Sequence, residues 1–121
     1  MTRREALIAL RDAVEANEGF IGHLSSKAFD PERHVLALRA YGEMHPRGSL
    51  DDAIALIEQS LPGWVWAVGC RGPEDRQDFP YAVIAHDKNE LKHQFDASAA
   101  TPARALLLAI LEALIAKEGE G

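Results

Sequence analysis

The most constraining feature of this sequence is a long apolar stretch near its C-terminal end. From Ala100 to Lys117 the chain reads ATPARALLLAILEALIAK, and only Arg104 and Glu112 interrupt its apolar character before the final lysine. Thr101 is a good N-cap, and the proline after it suits the first helical position. Leucine and isoleucine side chains cover well over half of the helix circumference. The sequence therefore predicts a helix that is covered on more than one side.

That stretch does not suit a membrane. A spanning helix needs about 20 apolar residues without charges, and this run is shorter and carries two charged side chains. With 121 residues, the chain fits one domain that can bury a real core without disulfides or metals. We therefore expect a buried helix in a single compact unit.

The N-terminal part, residues 1–48, is predicted to be a helical extension of two helices. The first helix runs from Thr2 to about Ala16 on an i, i+3, i+7 apolar pattern, and Glu18-Gly19 is expected to end it. The second begins at Asp30-Pro31, with Asp30 as cap, and ends near Tyr41 before Gly42. Phe20–Phe29 lacks a clean period, and two interpretations stay open: a short helical turn or a packed loop.

Residues 49–118 are predicted to form an α-β-β-β-α domain of the α+β class. Ser49 caps a helix that Pro62-Gly63 stops, and alternation of apolar residues then indicates strands. Because one side of the sheet is more apolar, two helices are expected on one face of a three-stranded antiparallel meander. The predicted strands are Trp64–Arg71, Phe79–His86 and Leu91–Ala97.

The connection between the second and third strands predicts their register. Placing Lys88 and Asn89 at the tip of a turn over Asp87–Glu90 aligns alternate residues of the two strands on a common face. The predicted pairs are His86 with Leu91, Ile84 with His93, and Ala82 with Phe95.

Charge and cysteine content restrict the partners and the compartment. The net charge is -6, and the excess lies after Gly48, where six basic residues face twelve acidic ones. Such a surface repels bare phosphate backbones. Cys70 is the single cysteine, so no intramolecular disulfide can form, and a reducing cytoplasm is the expected setting.

A second set of signals consists of four short segments: Leu50-Asp51, Leu61-Pro62-Gly63-Trp64, Trp66 and Ala100-Thr101-Pro102-Ala103. In these segments the chain resembles the phage ABA sandwich domain, a group of small phage and prophage proteins, and the likeness covers a little over half of the chain. The resemblance implies a phage or prophage origin and a helix-sheet-helix fold. It supplies no catalytic residues.

The topology is also similar to that of the double-stranded RNA-binding domain. Gly72-Pro73 followed by Phe79 reproduces the spacing of that family's loop, although Asp75 stands where the family has histidine. The lysines that should open its last helix are absent, and Arg104 is the only cation there. In this alternative the phosphate-binding residues are Arg71, Arg76 and Arg104, and the acidic balance disfavours it.

Reactive groups are few. Cys70 with His86 is a conceivable nucleophile and base for a hydrolase, but no orienting group or oxyanion loop is visible. His86 and His93 supply two metal ligands where a site needs about four. No phosphate-binding glycine loop occurs. We therefore predict no enzyme activity, no metal and no cofactor.

Trp64 and Trp66 are the residues considered for a partner-binding site. Because they alternate along one strand, both are predicted to anchor that strand in the core. If helices do not cover the face that carries them, they instead form an exposed aromatic patch for a protein partner. The functional prediction is a cytoplasmic phage-type accessory protein that acts by protein contact. The partner is unidentified, and self-association through the N-terminal helices is one option.

Overall fold

A computed structural model describes residues 2–42, 48–71, 79–86 and 94–120 of the protein. Within these ranges the chain forms five helices and a three-stranded antiparallel sheet with strand order β1-β2-β3. The α+β class is therefore confirmed. The elements are α1 Arg3–Glu15, α2 Gly22–Ala28, α3 Pro31–Tyr41, α4 Leu50–Ser60, β1 Val65–Arg71, β2 Phe79–Ala85, β3 Gln94–Ser98 and α5 Pro102–Glu120.

The apolar C-terminal stretch forms α5, the central element of the core. Thr101 caps it, since its Oγ1 accepts a hydrogen bond of 3.1 Å from the backbone N–H of Arg104. Every residue from Ala105 to Leu111 is buried. The sheet packs on one side of α5, and α1, α3 and α4 pack on its other sides. The prediction of a helix covered on more than one side is confirmed.

The arrangement of helices differs in one detail from the prediction of two helices on one sheet face. α5 is the helix that lies along the sheet, chiefly against β2 and β3, whereas α4 packs against α3 and α5. A helix as apolar as α5 has enough surface to fill the space below the sheet and to accept a second layer of helices behind it.

The N-terminal region holds three helices where two were predicted. The segment left open between a helical turn and a loop contains α2, and α1 and α3 both pack against α5. α1 ends at Glu15, within a residue of the predicted end, but the left-handed residue that follows it is Asn17, with φ of 55°, and not Gly19. The N–H of Glu18 bonds to the carbonyl of Ala13, which completes a Schellman cap with asparagine as the left-handed residue.

The β2–β3 register is shifted by two residues from the predicted one. Ile84 lies opposite Phe95 and Ala82 opposite Ala97. The predicted turn, with His93 and Leu91, lies outside the described residues, and register in a hairpin depends on its turn. Because the shift is an even number, each side chain of β2 and β3 keeps its predicted face. Ile84 and Ala82 point into the core, and both are fully buried.

Candidate functional site

The outer border of the sheet at β1 carries exposed apolar side chains. Val65 is 41% exposed and Trp66 is 38% exposed, and Ala67 beside them is also exposed. We call Val65, Trp66 and Ala67 the β1 surface. Trp66 lies opposite Ile84 and shares its helix-facing side, but α5 lies mainly under β2 and β3. Trp66 therefore extends beyond the helices that cover this side of the sheet, and its side chain is accessible to solvent.

Trp64 has a different environment from Trp66. Its ring centroid lies 5.4 Å from that of His86 and 6.1 Å from that of Phe95, and it packs partly buried against the core. The two tryptophans that the sequence pattern treats alike therefore separate into one core-supporting residue and one exposed residue. The period-two pattern gives the face of each side chain, but it does not show which strand lies at an edge.

On the face of the sheet that points away from the helices, the β1 residues Val65 and Ala67 are exposed. Gly69 lies opposite Tyr81, and a Cβ added at Gly69 would stand 3.1 Å from Cε1 of the tyrosine ring. Glycine at this position lets that ring lie across β1. On this face of β1, the Tyr81 ring therefore lies at the Gly69 end of the strand, and the exposed Val65 lies at the other end.

Arg104 bonds within the protein. Its Nε donates to the carbonyl of Tyr41 at 2.6 Å, and its Nη1 donates to Oδ1 of Asn17 at 3.1 Å. The guanidinium also lies over the Tyr41 ring, 4.0 Å from its centroid, and the tyrosine hydroxyl donates to the carbonyl of Glu18. These contacts join the start of α5 to the ends of α1 and α3. Sequence reasoning considered Arg104 only as a phosphate ligand in the disfavoured RNA-binding alternative, and it missed this network.

The other residues of the nucleic-acid alternative are less completely described. Arg71 is the last residue of β1, where its backbone lies opposite Phe79. Its side chain and the whole of Arg76 lie outside the described part of the structure. Within the described part, the sequence-predicted cationic set therefore shows one member, Arg104, and that member contacts protein groups.

Cys70 and His86, which were considered as a nucleophile and a base, lie far apart along the sheet. Cys70 lies opposite Pro80 in the strand register. Pro80 is six residues before His86, which directly follows β2, and this separation corresponds to roughly 20 Å along the strand. His86 is exposed beside Trp64, and His93 lies outside the described residues. No group of three or more histidine, cysteine or acidic side chains suited to a metal occurs among the residues that the structure describes.

A serine-histidine contact occurs elsewhere, between α2 and α3. Nδ1 of His34 lies 2.9 Å from Oγ of Ser25, but Ser25 is fully buried, so no substrate can reach its hydroxyl. The contact joins two short helices. Asp30, the expected cap of α3, occupies the cap position, yet its carboxylate accepts a bond of 2.9 Å from Arg33.

A hollow of about 180 Å³ lies between the end of α1, β3 and α5. Glu15, Asp96 and Glu112 line it. Nη1 of Arg11 lies 3.5 Å from Oε1 of Glu112. Burial lowers the pKa of Arg11, but its hydrogen bond to Asp12 and the charges of Glu112, Asp12 and Glu15 leave that pKa above its ordinary value. The hollow is smaller than the usual 300–1,000 Å³ of ligand pockets.

A second hollow of about 360 Å³ lies between the start of α1 and the ends of α4 and α5. Arg3, Ser60 and Lys117 line it, and Arg3 forms an ion pair with Glu118 across it. Its open, charged lining lacks the convergent polar groups on an apolar wall that mark a small-molecule site.

These features define a mixed helix-and-sheet domain whose described part presents an uncovered apolar sheet border and no assembled reactive centre. Comparisons with protein-family models, curated proteins and solved structures found no match for this chain. In the described ranges, each helix is too short or too polar to cross a bilayer.

Proposed function

We propose that this protein is a phage- or prophage-type accessory protein that works in the cytoplasm by protein contact, without a catalytic step. The β1 surface is its contact site. The observation that carries the proposal is the exposure of Trp66 and Val65 on a sheet border that no described element covers. The resemblance of the Trp64 and Ala100 segments to the phage ABA sandwich domain supports the phage-type setting.

The chemistry of the β1 surface suits a protein partner. Tryptophan is enriched among the residues that dominate binding energy at interfaces, because it buries a large rigid area at little entropic cost. The backbone along an edge strand also has donors and acceptors that a partner strand can satisfy. An apolar side chain beside an unpaired backbone is a combination that protein interfaces use.

Nucleic-acid binding is the weaker proposal. The acidic balance of the chain opposes it, and the guanidinium of Arg104 already contacts Tyr41 and Asn17. A gel shift with duplex RNA at low salt tests it directly. Binding that weakens in an Arg76→Ala variant would favour this alternative over protein contact.

Photocrosslinking in the native host tests the main proposal. A benzophenone amino acid at position 65 is expected to give one discrete adduct, because Val65 borders Trp66. The same probe at Gln94, exposed on the opposite border, serves as the matched control and is expected to give none. A Trp66→Ala change should abolish the adduct from position 65. Equal labelling from both positions, or none from position 65, would refute the proposal.

A further inference from the structure

We propose that β1 forms the interface of a homodimer, in which the outer edge of this strand pairs antiparallel with the same edge of β1 in a second copy. The resulting sheet has six strands, with the two β1 strands at its centre. This inference rests on the proposed function, since it names the partner of the β1 surface.

The two edge strands of the sheet differ in the features that keep an edge strand from pairing with another strand. β3 has five residues, with Gln94, Asp96 and Ser98 exposed. β1 has seven residues and carries neither charge nor proline from Val65 to Gly69. Natural edge strands are kept from pairing by short length, charge or proline. β3 therefore has the features of an edge strand that stays unpaired on its outer side, whereas β1 has those of a strand that pairs with a further strand.

The charge distribution lets a second copy approach at this border. The chain carries a net charge of -6, so two copies repel over much of their surfaces. From Gly63 to Cys70 there is no charged residue, and here two copies can meet without opposing like charges. The same stretch offers no group to a phosphate or to a basic partner. An identical uncharged strand supplies both the apolar side chains and the backbone groups that this border requires.

A two-fold axis at Ala67 gives a pairing in which large residues meet smaller ones. Trp66 then lies opposite the partner's Val68, an aromatic and β-branched pair of the kind that stabilises antiparallel strands. Val65 lies opposite the partner's Gly69, where the Tyr81 ring of that subunit lies across the strand. Ala67 lies opposite itself, so the axis carries no steric conflict.

The small extent of this border indicates a weak association. The pairing buries one strand edge and the exposed parts of a few side chains, which places it at the small end of specific interfaces. We therefore expect a reversible dimer with a dissociation constant on the order of ten micromolar.

Analytical ultracentrifugation of the full chain, at concentrations below and above that constant, tests the dimer. Wild type is expected to shift from monomer to dimer as the concentration rises. Ala67→Lys places two like charges at the axis and should keep the chain monomeric, whereas Ser98→Lys on the β3 border should leave association unchanged. Circular dichroism confirms that both variants fold. Wild type that stays monomeric, or an Ala67→Lys variant that associates like wild type, would overturn the inference.

Disulfide trapping tests the register. Directly opposed residues in antiparallel strands have Cα atoms about 4.5–5.5 Å apart, a distance that a disulfide can bridge. In a Cys70→Ser background, Ala67→Cys is expected to form a cross-linked dimer on mild oxidation, and Ser98→Cys is expected to form one far more slowly. Equal rates for the two variants would contradict the pairing.

The dimer and the proposed function fail in different ways. A chain that is monomeric at all concentrations, but whose probe at position 65 captures a different protein, overturns the dimer and leaves protein contact in place. A chain that neither associates nor gives an adduct overturns both.

Discussion

Arg104→Ala tests whether this arginine holds three helices together. The substitution removes a hydrogen bond of 2.6 Å to the carbonyl of Tyr41, one of 3.1 Å to Asn17, and a cation–π contact at 4.0 Å. A hydrogen bond to a charged group contributes about 1.5–3 kcal/mol when shielded and less when exposed, and the ring contact adds about 0.5–1 kcal/mol. Alanine recovers only a few tenths through its helix propensity. We expect a loss of about 2–4 kcal/mol.

Urea denaturation followed by tryptophan fluorescence measures this loss. Arg4→Ala is the matched control, because Arg4 is an exposed arginine on α1 and its removal should change stability by less than about 0.5 kcal/mol. Asn17→Gly keeps the left-handed conformation and removes one acceptor. A double-mutant cycle with Arg104→Ala should then give a coupling of about 0.5–1 kcal/mol. An Arg104→Ala variant as stable as the Arg4→Ala control would refute the reasoning.

Two further predictions concern packing and backbone conformation. Gly48→Ala should cost at least about 2 kcal/mol, because Gly48 has a φ of 70° and a Cβ there would lie 2.2 Å from the carbonyl oxygen of Ala40. Gly63→Ala, at a φ of 85° but in open space, should cost only about 1 kcal/mol, and equal losses in urea denaturation would contradict the predicted clash. Leu111→Ala, at a fully buried site on α5, should cost about 2–5 kcal/mol in the same assay, and a loss below 1 kcal/mol would show that the site is not in the core.

Local rules predicted the helices well. Ser49 caps α4 by accepting a bond of 3.2 Å from the N–H of Asp52, and Gly42 ends α3 with a φ of 89°. These signals act within one turn of chain, so the sequence contains all the information that they need. The end of α1 shows the limit, since both Asn17 and Gly19 can take the left-handed conformation and only the packed structure selects the asparagine.

Features that depend on distant contacts were harder to predict. The register of β3 depends on a turn, and a displacement of that turn moves every pair without changing the faces. Whether Trp66 is exposed depends on the position of α5 below the sheet, which lies more than thirty residues away in the sequence. The network of Arg104 joins residues up to 87 positions apart. No local pattern reports such contacts, so the sequence offered Arg104 only as a phosphate ligand of the disfavoured RNA-binding alternative.

The most direct test of the account is amide hydrogen exchange of Val65 to Gly69 at increasing protein concentration. If the β1 border is a contact site that pairs with a second copy, exchange of the outward-pointing amides should slow as the concentration rises. The same amides in the Ala67→Lys variant, and the amides of β3 in both proteins, should exchange at a rate that does not change with protein concentration. Amides of β1 that exchange equally fast at every concentration in the wild-type protein would contradict the account.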